Sequence, residues 1–359
     1  MNDKITAVSL FTGAGGMDLG FERNGVNIVF ANELLQDAVE TYCANRPNTK
    51  IMIRGDINHI IRKKFDFRGV DLVFGGPPCQ GFSVAGKMNP NDTRSELIFT
   101  FLDVVQLVQP KAFIMENVKA LATLERWKAI KDKYFSKALR LGYICFPFIL
   151  NATDFGVPQK RERVFFLGVQ KMLSDTFFEH RMQEIIYTKK NKAPIVRTVL
   201  HKLGRAGTTS NPKTCTARIT FASNPIMRKS PYAGMYFNGQ GRPINVDGYA
   251  NTLPASMGGN KTPFIDEEYL YGSAEKDWVI DYHKGLLDGS IIPEFKEAPS
   301  RLRRITIREA AKLQTFPDDY IFCGSKGTIY TQIGNAVPCK LAEVVSQSII
   351  EYLEEVSAF

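Results

Sequence analysis

Val70-Asp71-Leu72-Val73-Phe74-Gly75-Gly76-Pro77-Pro78-Cys79-Gln80-Gly81-Phe82-Ser83 decides how this chain is read. Val70 to Phe74 is a short apolar run of the kind that forms a buried strand. Two glycines end it, and two successive prolines let neither strand nor helix continue. The stiff turn then presents one thiol, Cys79, at the carboxyl end of a strand. In open α/β sheets ligands bind at that edge. A thiol held there has the placement of a nucleophile, although the residue type is more often simple buried packing. The rest of the chain decides between the two.

Residues 5–11 read as a first strand, Thr12 to Gly16 as a tight loop containing Gly13, Gly15 and Gly16, and Met17 to Arg23 as a helix start. Residues 26–31 read as a second strand ending in Asn32 and Glu33. Gly13 and Glu33 stand 20 residues apart, the offset at which an acid after the second strand accepts from ribose hydroxyls. The glycines do not follow Gly-x-Gly-x-x-Gly, and no phosphate-gripping Lys-Ser/Thr follows. A nucleoside without phosphates, such as S-adenosylmethionine, fits better than a dinucleotide. Residues 51–54 form a third strand, after which Asp56 can accept from an adenine amino group and Ile57 can pack on the ring.

The Cys79 strand is the fourth, and residues 84–96 make a polar loop directly after it. Leu97, Phe101, Val104, Val105 and Val108 mark one helix face. Residues 111–115 form a fifth strand that runs into Glu116 and Asn117. A helix at about 126–141 ends at Gly142, and 144–150 and 164–169 are two more strands, separated by Gln159-Lys160-Arg161-Glu162-Arg163. This alternation predicts an α/β fold with a doubly wound, mostly parallel sheet. After residue 170 the alternation fades into a second, smaller, irregular and partly β domain. Thr306 and Glu309 form a capping box for a helix running to about Thr315, and Gln332 to Pro338 reads as a turn. Leu341, Val344, Val345, Ile349 and Tyr352 mark a final amphipathic helix.

At 359 residues, 44% apolar and 23% charged, the chain has room for two globular domains. No run approaches the roughly 18 apolar residues of a membrane helix, and a cytoplasmic location is expected. Six scattered cysteines and four histidines, with no Cys-x-x-Cys, suit reduced thiols and no metal site. The net charge of +9 is local: residues 181–230 hold eleven Lys/Arg and one acid, Glu184, whereas 231–300 hold five bases and ten acids. Such a basic segment is the electrostatic footprint of a nucleic-acid contact, or else a solvated face. Its cluster Lys189, Lys190 and Lys192 is the candidate backbone contact.

In order along the chain stand Phe11-x-Gly13-x-Gly15-Gly16, Gly76-Pro77-Pro78-Cys79-Gln80, Glu116-Asn117-Val118, Gln159-x-Arg161-x-Arg163, the 302–317 helix and Gly334-Asn335. Together they resemble the DNA (cytosine-5)-methyltransferases, most closely the bacterial restriction–modification type. The resemblance implies methyl transfer from S-adenosylmethionine to carbon-5 of a cytosine flipped out of double-stranded DNA. It implies Cys79 as nucleophile, with Glu116, Arg161 and Arg163 as its catalytic companions. It places Phe11, Glu33, Leu34, Asp56, Ile57, Pro78, Leu97 and Asn335 around the cofactor, and Gln80, Ser83, Lys87 and Arg94 against DNA. The domains expected are 1–180 plus 322–359 for catalysis and cofactor, 181–300 for target recognition and 301–321 as a connecting helix. The protein is expected as a monomer, with a cognate endonuclease as a possible companion. An amino-nitrogen methyltransferase would need no thiol, and a catalytically dead DNA-binding regulator would not need Cys79, Glu116, Arg161 and Arg163. A tRNA cytosine methyltransferase would carry the same residues.

Overall fold

The computed structural model describes residues 4–47, 49–62, 66–78, 96–174 and 177–357. It divides into two compact units, one of residues 1–156, 161–192 and 337–359, the other of 157–160 and 193–336.

The first unit is built on a seven-stranded sheet. Its strands are β1 (Thr6–Leu10), β2 (Asn27–Glu33), β3 (Met52–Arg54), β4 (Leu72–Gly75), β5 (Ala112–Val118), β6 (Tyr143–Asn151) and, after the two-residue β7 (Gln159–Lys160), β8 (Glu162–Gln170). The order is β3-β2-β1-β4-β5-β8-β6. β8 runs antiparallel to both neighbours, and the other pairs are parallel. Both faces are covered, so the strands read as near-continuous apolar runs: Ala7, Val8, Leu10, Leu72, Val73 and Phe74 are fully buried. On one face lies α4 (Leu97–Val108), whose Phe101, Val104, Val105 and Val108 are likewise fully buried, as their spacing requires. Phe113 on β5 lies over Gly168 of β8, where a Cβ would stand 2.2 Å from the ring.

The unit is discontinuous because its last helix, Cys339–Ser357, returns to α1 (Gly16–Arg23). A Cβ on Gly20 would meet Glu343 N at 2.5 Å and Cys339 O at 2.7 Å, so the glycine lets the two backbones touch. Asn24 fixes the register by donating to Glu343 O at 2.7 Å and Ser346 Oγ at 2.5 Å. α7 (Phe178–Thr188) packs on the same terminal helix through Phe178 and Tyr352, with ring centroids 4.9 Å apart, and through Arg181–Glu355. Residues 181–192 therefore belong to the first compact unit, and 322–336 to the second, whereas the expected bounds put each in the other part.

The second unit is irregular and partly β. Its core gathers Ile219, Phe221, Tyr236, Phe237, Phe264, Val279, Tyr282 and Leu302. Two antiparallel pairs, Phe221–Ile226 with Met235–Phe237 and Phe264–Asp266 with Leu302–Arg304, and one parallel pair, β7 with Ala250–Asn251, are its only sheets among the described residues. The capping box at Thr306 and Glu309 forms as expected. Gln332 to Asn335, expected as part of a turn, instead closes the helix Lys326–Asn335, capped by Ser325. Glycines 327 and 334 hide that helix from propensity. Gly334 is required by packing, since a Cβ there would stand 2.6 Å from Pro254 O.

Candidate active site

Strand register brings three chain segments to one sheet edge. Leu10 pairs with Asn32 on one side and Gly75 on the other, and Gly75 pairs with Met115. The glycine loop and the Gly76-Pro77-Pro78 segment thus leave the sheet at one level, beside Glu33 and Glu116 near the carboxyl ends of their strands.

On one side of Pro77 lies the glycine loop. Phe11 has φ 55° and Gly13 φ 55°, and a bulky residue in that left-handed region stores strain, about 1–3 kcal/mol. The loop is held by Glu33, which is mostly buried. Its Oε2 accepts from Gly13 N–H at 2.8 Å, and its Oε1 accepts from Leu34 and Leu35 N–H at 2.8 and 2.9 Å. A phosphate in the loop would compete with this carboxylate for the Gly13 donor, so the loop suits an uncharged sugar. Gly15 caps α1 with no side chain, and Gly16 begins that helix, buried. Leu34 and Leu35 are 59% and 58% exposed, and Ile53 is 40% exposed. These apolar side chains beside a carboxylate are of the kind that the adenosine half of S-adenosylmethionine would need.

Asn32, which the sequence reading passed over, donates to Ile53 O at 2.9 Å and Gly55 O at 3.0 Å and so sets the start of α3 (Ile57–Ile60). Asp56 caps that helix, with Oδ1 accepting from Asn58 N–H at 2.8 Å. Ile57 is 2% exposed and belongs to the core, so its side chain offers little surface to a ring. Leu97 is half-buried against that core. Asn335 is exposed at the end of its helix in the second unit.

On the other side of Pro77 stands Glu116, on β5. Its Oε1 meets Arg163 Nε at 2.9 Å, and the two side chains are only 12% and 14% exposed. Arg163 is two residues from the cross-strand partner of Glu116, on the same sheet face. Arg161 is 1% exposed. Burial pushes the Glu116 carboxyl above its ordinary value, and the Arg163 and Arg161 charges pull the other way without prevailing. Gly76 makes room: a Cβ there would stand 3.0 Å from Glu116 Oε2. Asn117, buried, donates to Pro77 O at 3.3 Å and fixes the proline segment from below. Its place in Glu116-Asn117-Val118 was the available signal. Pro78 is half-buried. Cys79, Gln80, Ser83, Lys87 and Arg94 lie outside the described residues.

Of the proposed backbone contacts, Lys189 is ion-paired with Glu351, and Lys190 lies 3.9 Å from Asp154. A phosphate would have to displace acids already there. Lys192 is exposed. Among the described residues no cluster of His, Cys, Asp or Glu could hold a metal ion, and no helix is long and apolar enough to cross a membrane.

Beneath the glycine loop Asp18 is completely buried beside Ser9 and Tyr42, and burial raises its pKa to about 6 against the pull of Arg46. The folded value lies above the unfolded one, so the folded chain holds a proton that the unfolded chain lacks between about pH 4 and 6. Stability is therefore lost as pH rises through that window, by about 3 kcal/mol for a two-unit shift. Asp18→Asn should accordingly gain up to about that much at pH 7.5 and nothing at pH 4. Urea unfolding at both pH values checks this. A variant less stable at both would show the carboxylate to be well partnered.

The doubly wound sheet thus brings a glycine loop, the acid that holds it and a mostly buried acid two strands away to one edge. The family model for "C-5 cytosine-specific DNA methylase" matches residues 5–351, and the chain belongs to that family. It is a DNA (cytosine-5)-methyltransferase of the restriction–modification kind. It is 32% identical over 356 residues to the type II methyltransferase M1.HphI of Haemophilus parahaemolyticus, covering 97% of this chain and 87% of that one. It is also 32% identical to M.FnuDI of Fusobacterium nucleatum, covering 97% and 95%. The fold matches a putative DNA modification methyltransferase from an Escherichia coli prophage, with TM-score 0.64, 23% identity and 98% and 99% coverage. It matches the Dnmt2 methyltransferase of S. pombe with TM-score 0.65, 18% identity and 99% and 100% coverage.

Proposed function

We propose that this protein methylates carbon-5 of one cytosine within a specific double-stranded DNA sequence, after flipping the base from the helix, through a covalent bond from Cys79 to carbon-6. The observation that carries it is the mostly buried Glu116, whose pKa burial raises, beside Gly76-Pro77 at the sheet edge where β4 ends.

Carbon-5 of cytosine is a weak nucleophile. Addition of the Cys79 thiolate across the 5,6 double bond makes it enamine-like, and negative charge then builds towards ring nitrogen-3. Glu116, whose hold on a proton burial strengthens, donates there. Arg163 holds Glu116, and the Arg163 and Arg161 charges would favour the ionised form of the Cys79 thiol. S-adenosylmethionine, when bound, supplies the methyl group. Glu33 would hold the ribose, and Leu34, Asp56 and Leu97, with Phe11 and Pro78, would surround the rest of the nucleoside, while Ile57 supports them from the core. Loss of the carbon-5 proton restores the double bond and expels the thiolate. Gln80, Ser83, Lys87 and Arg94 contact the DNA around the flipped nucleotide. A restriction endonuclease with the same target sequence would be the natural companion, since the relatives are type II methyltransferases.

Bisulfite sequencing of plasmid DNA from cells expressing the protein tests the reading. Protection of one cytosine in every copy of one short sequence is expected. Unprotected DNA alongside a protected cytosine in tRNA would overturn it.

A further inference from the structure

Asp18 stands in the first turn of α1, directly after the glycine loop, and none of it reaches the surface. Neither carboxyl oxygen makes a hydrogen bond, and among the described residues no base is ion-paired with it. The hydroxyls of Ser9 on β1 and Tyr42 on α2 (Gln36–Ala44) face it from outside hydrogen-bond geometry, and both residues are fully buried. Arg46, just past α2, is the nearby cation, but its Nε and Nη2 meet the two carboxylate oxygens of Glu22 at 2.7 Å each. The terminal helix adds Cys339, whose thiol burial pushes up to about 12 and so keeps neutral, and Glu343, paired with Arg23 at 3.1 Å. The charges around Asp18 thus cancel in pairs, and an ionised Asp18 is the one left over.

A buried carboxylate in this position subtracts from stability once it ionises. Such costs are characteristically met at functional sites. The place of Asp18 in the fold indicates which one. A helix N-terminus carries partial positive charge, which opposes a cation seated on the loop before it. An ionised carboxylate in the first turn reverses that sign, and burial protects its field from screening by salt. S-adenosylmethionine has a sulfonium, an ammonium and a carboxylate, hence one net positive charge. Its product, S-adenosylhomocysteine, is a thioether with no net charge.

We propose that Asp18 is a charge selector beneath the cofactor loop, its buried carboxylate favouring cationic S-adenosylmethionine over the neutral product. By reciprocity, binding of the cation drives the Asp18 proton into solvent, and binding of the product does not. The site is thereby biased towards the ligand it must load and away from the one it must release. The inference rests on S-adenosylmethionine being the methyl donor.

Isothermal titration calorimetry tests it. The Asp18 pKa of about 6 sets the pH at which proton release is readable. Titrations there in two buffers of different ionisation enthalpy count the protons released. The ligands are S-adenosylmethionine, S-adenosylhomocysteine and sinefungin, which carries an amine in place of the methylated sulfur. Wild type should release more of a proton with the two cationic ligands than with the thioether. That difference should vanish in Asp18→Asn and persist in Glu116→Gln, which removes the other buried acid of the unit. The ratio of the S-adenosylhomocysteine to the S-adenosylmethionine dissociation constant should rise about fivefold from about pH 5 to about pH 7.5 in wild type. It should stay flat in Asp18→Asn. If thermal melts show Asp18→Asn to be unfolded, the three ligands on wild type and Glu116→Gln carry the test. Equal proton release with all three ligands on wild type overturns the proposal, as does a difference that persists in folded Asp18→Asn. Sinefungin that behaves like the thioether would overturn it in favour of contacts to the methyl group. A wild type that binds none of the three would defeat the cofactor reading itself.

Discussion

Duplex DNA carrying 5-fluorocytosine at the target position is expected to become covalently attached to the protein when S-adenosylmethionine is present. The Cys79 thiolate adds to carbon-6, and the electron pair released to carbon-5 takes the methyl group. Normally the carbon-5 proton then leaves, its bonding pair restores the double bond, and the thiolate departs. Fluorine cannot leave as a cation, so the carbon–sulfur bond persists and the complex survives denaturing electrophoresis. Cys79→Ser should form no such complex. A serine hydroxyl is not ionised near neutral pH, whereas a thiol of ordinary pKa is partly so and is intrinsically more nucleophilic. Methyl transfer in the variant should fall on the order of 10⁴-fold or more, as when a covalent nucleophile is lost. DNA binding should remain, because the thiol supplies chemistry and not charge. Transfer of tritiated methyl groups by Cys79→Ser at a wild-type rate would sink the covalent route.

The strands of the sheet were legible because both of its faces are covered, which makes each strand an apolar run bounded by glycine or proline. Where they end was less so. Glu33 and Glu116 read as residues after their strands, but the ladders continue through them, and β8 grips Glu116 from the side. That grip needs β8 to slip between β5 and β6 in reverse direction, a choice of partner that no local pattern encodes. Charge counting had a similar limit. Arg181, Lys189 and Lys190 look like free cations of a basic segment, yet the helix more than 150 residues onward supplies Glu355 and Glu351, and Asp154 faces Lys190. Arg304, outside that segment, is buried, and among the described residues no acid pairs with it. Glu116 and Arg163, which their motifs singled out, meet in the structure, whereas Cys79 lies outside the described residues. Asn117 stood inside a quoted motif, but its part in holding Pro77, like that of Asn32 at Ile53 and Gly55, became visible only through the carbonyls each touches.

Glu116→Gln preserves shape and removes the proton that Glu116 gives to ring nitrogen-3. Turnover should fall by roughly 100-fold or more, the usual reach of a positioned general acid. The amide can still donate a hydrogen bond, so the loss should stay short of that in Cys79→Ser. Cofactor affinity should hold, because Glu33 and the glycine loop lie on the far side of Pro77 from Glu116 in the strand order. Stability should change little, since the amide oxygen can still accept from Arg163 Nε. The pH profile separates a chemical role from a structural one. Burial raises the Glu116 pKa, and the active form is the protonated one, so the wild-type rate should decline as pH rises through that pKa. The thiol imposes the opposite slope on the acid side, giving a bell. In Glu116→Gln the decline attributable to the carboxyl should vanish while the rise with thiol ionisation remains. Single-turnover methyl transfer between pH 5.5 and 9.5, with cofactor titration and thermal melts of the same preparations, makes the comparison. A variant with the wild-type bell and the wild-type rate would remove Glu116 from the chemistry and leave it as the anchor of Arg163.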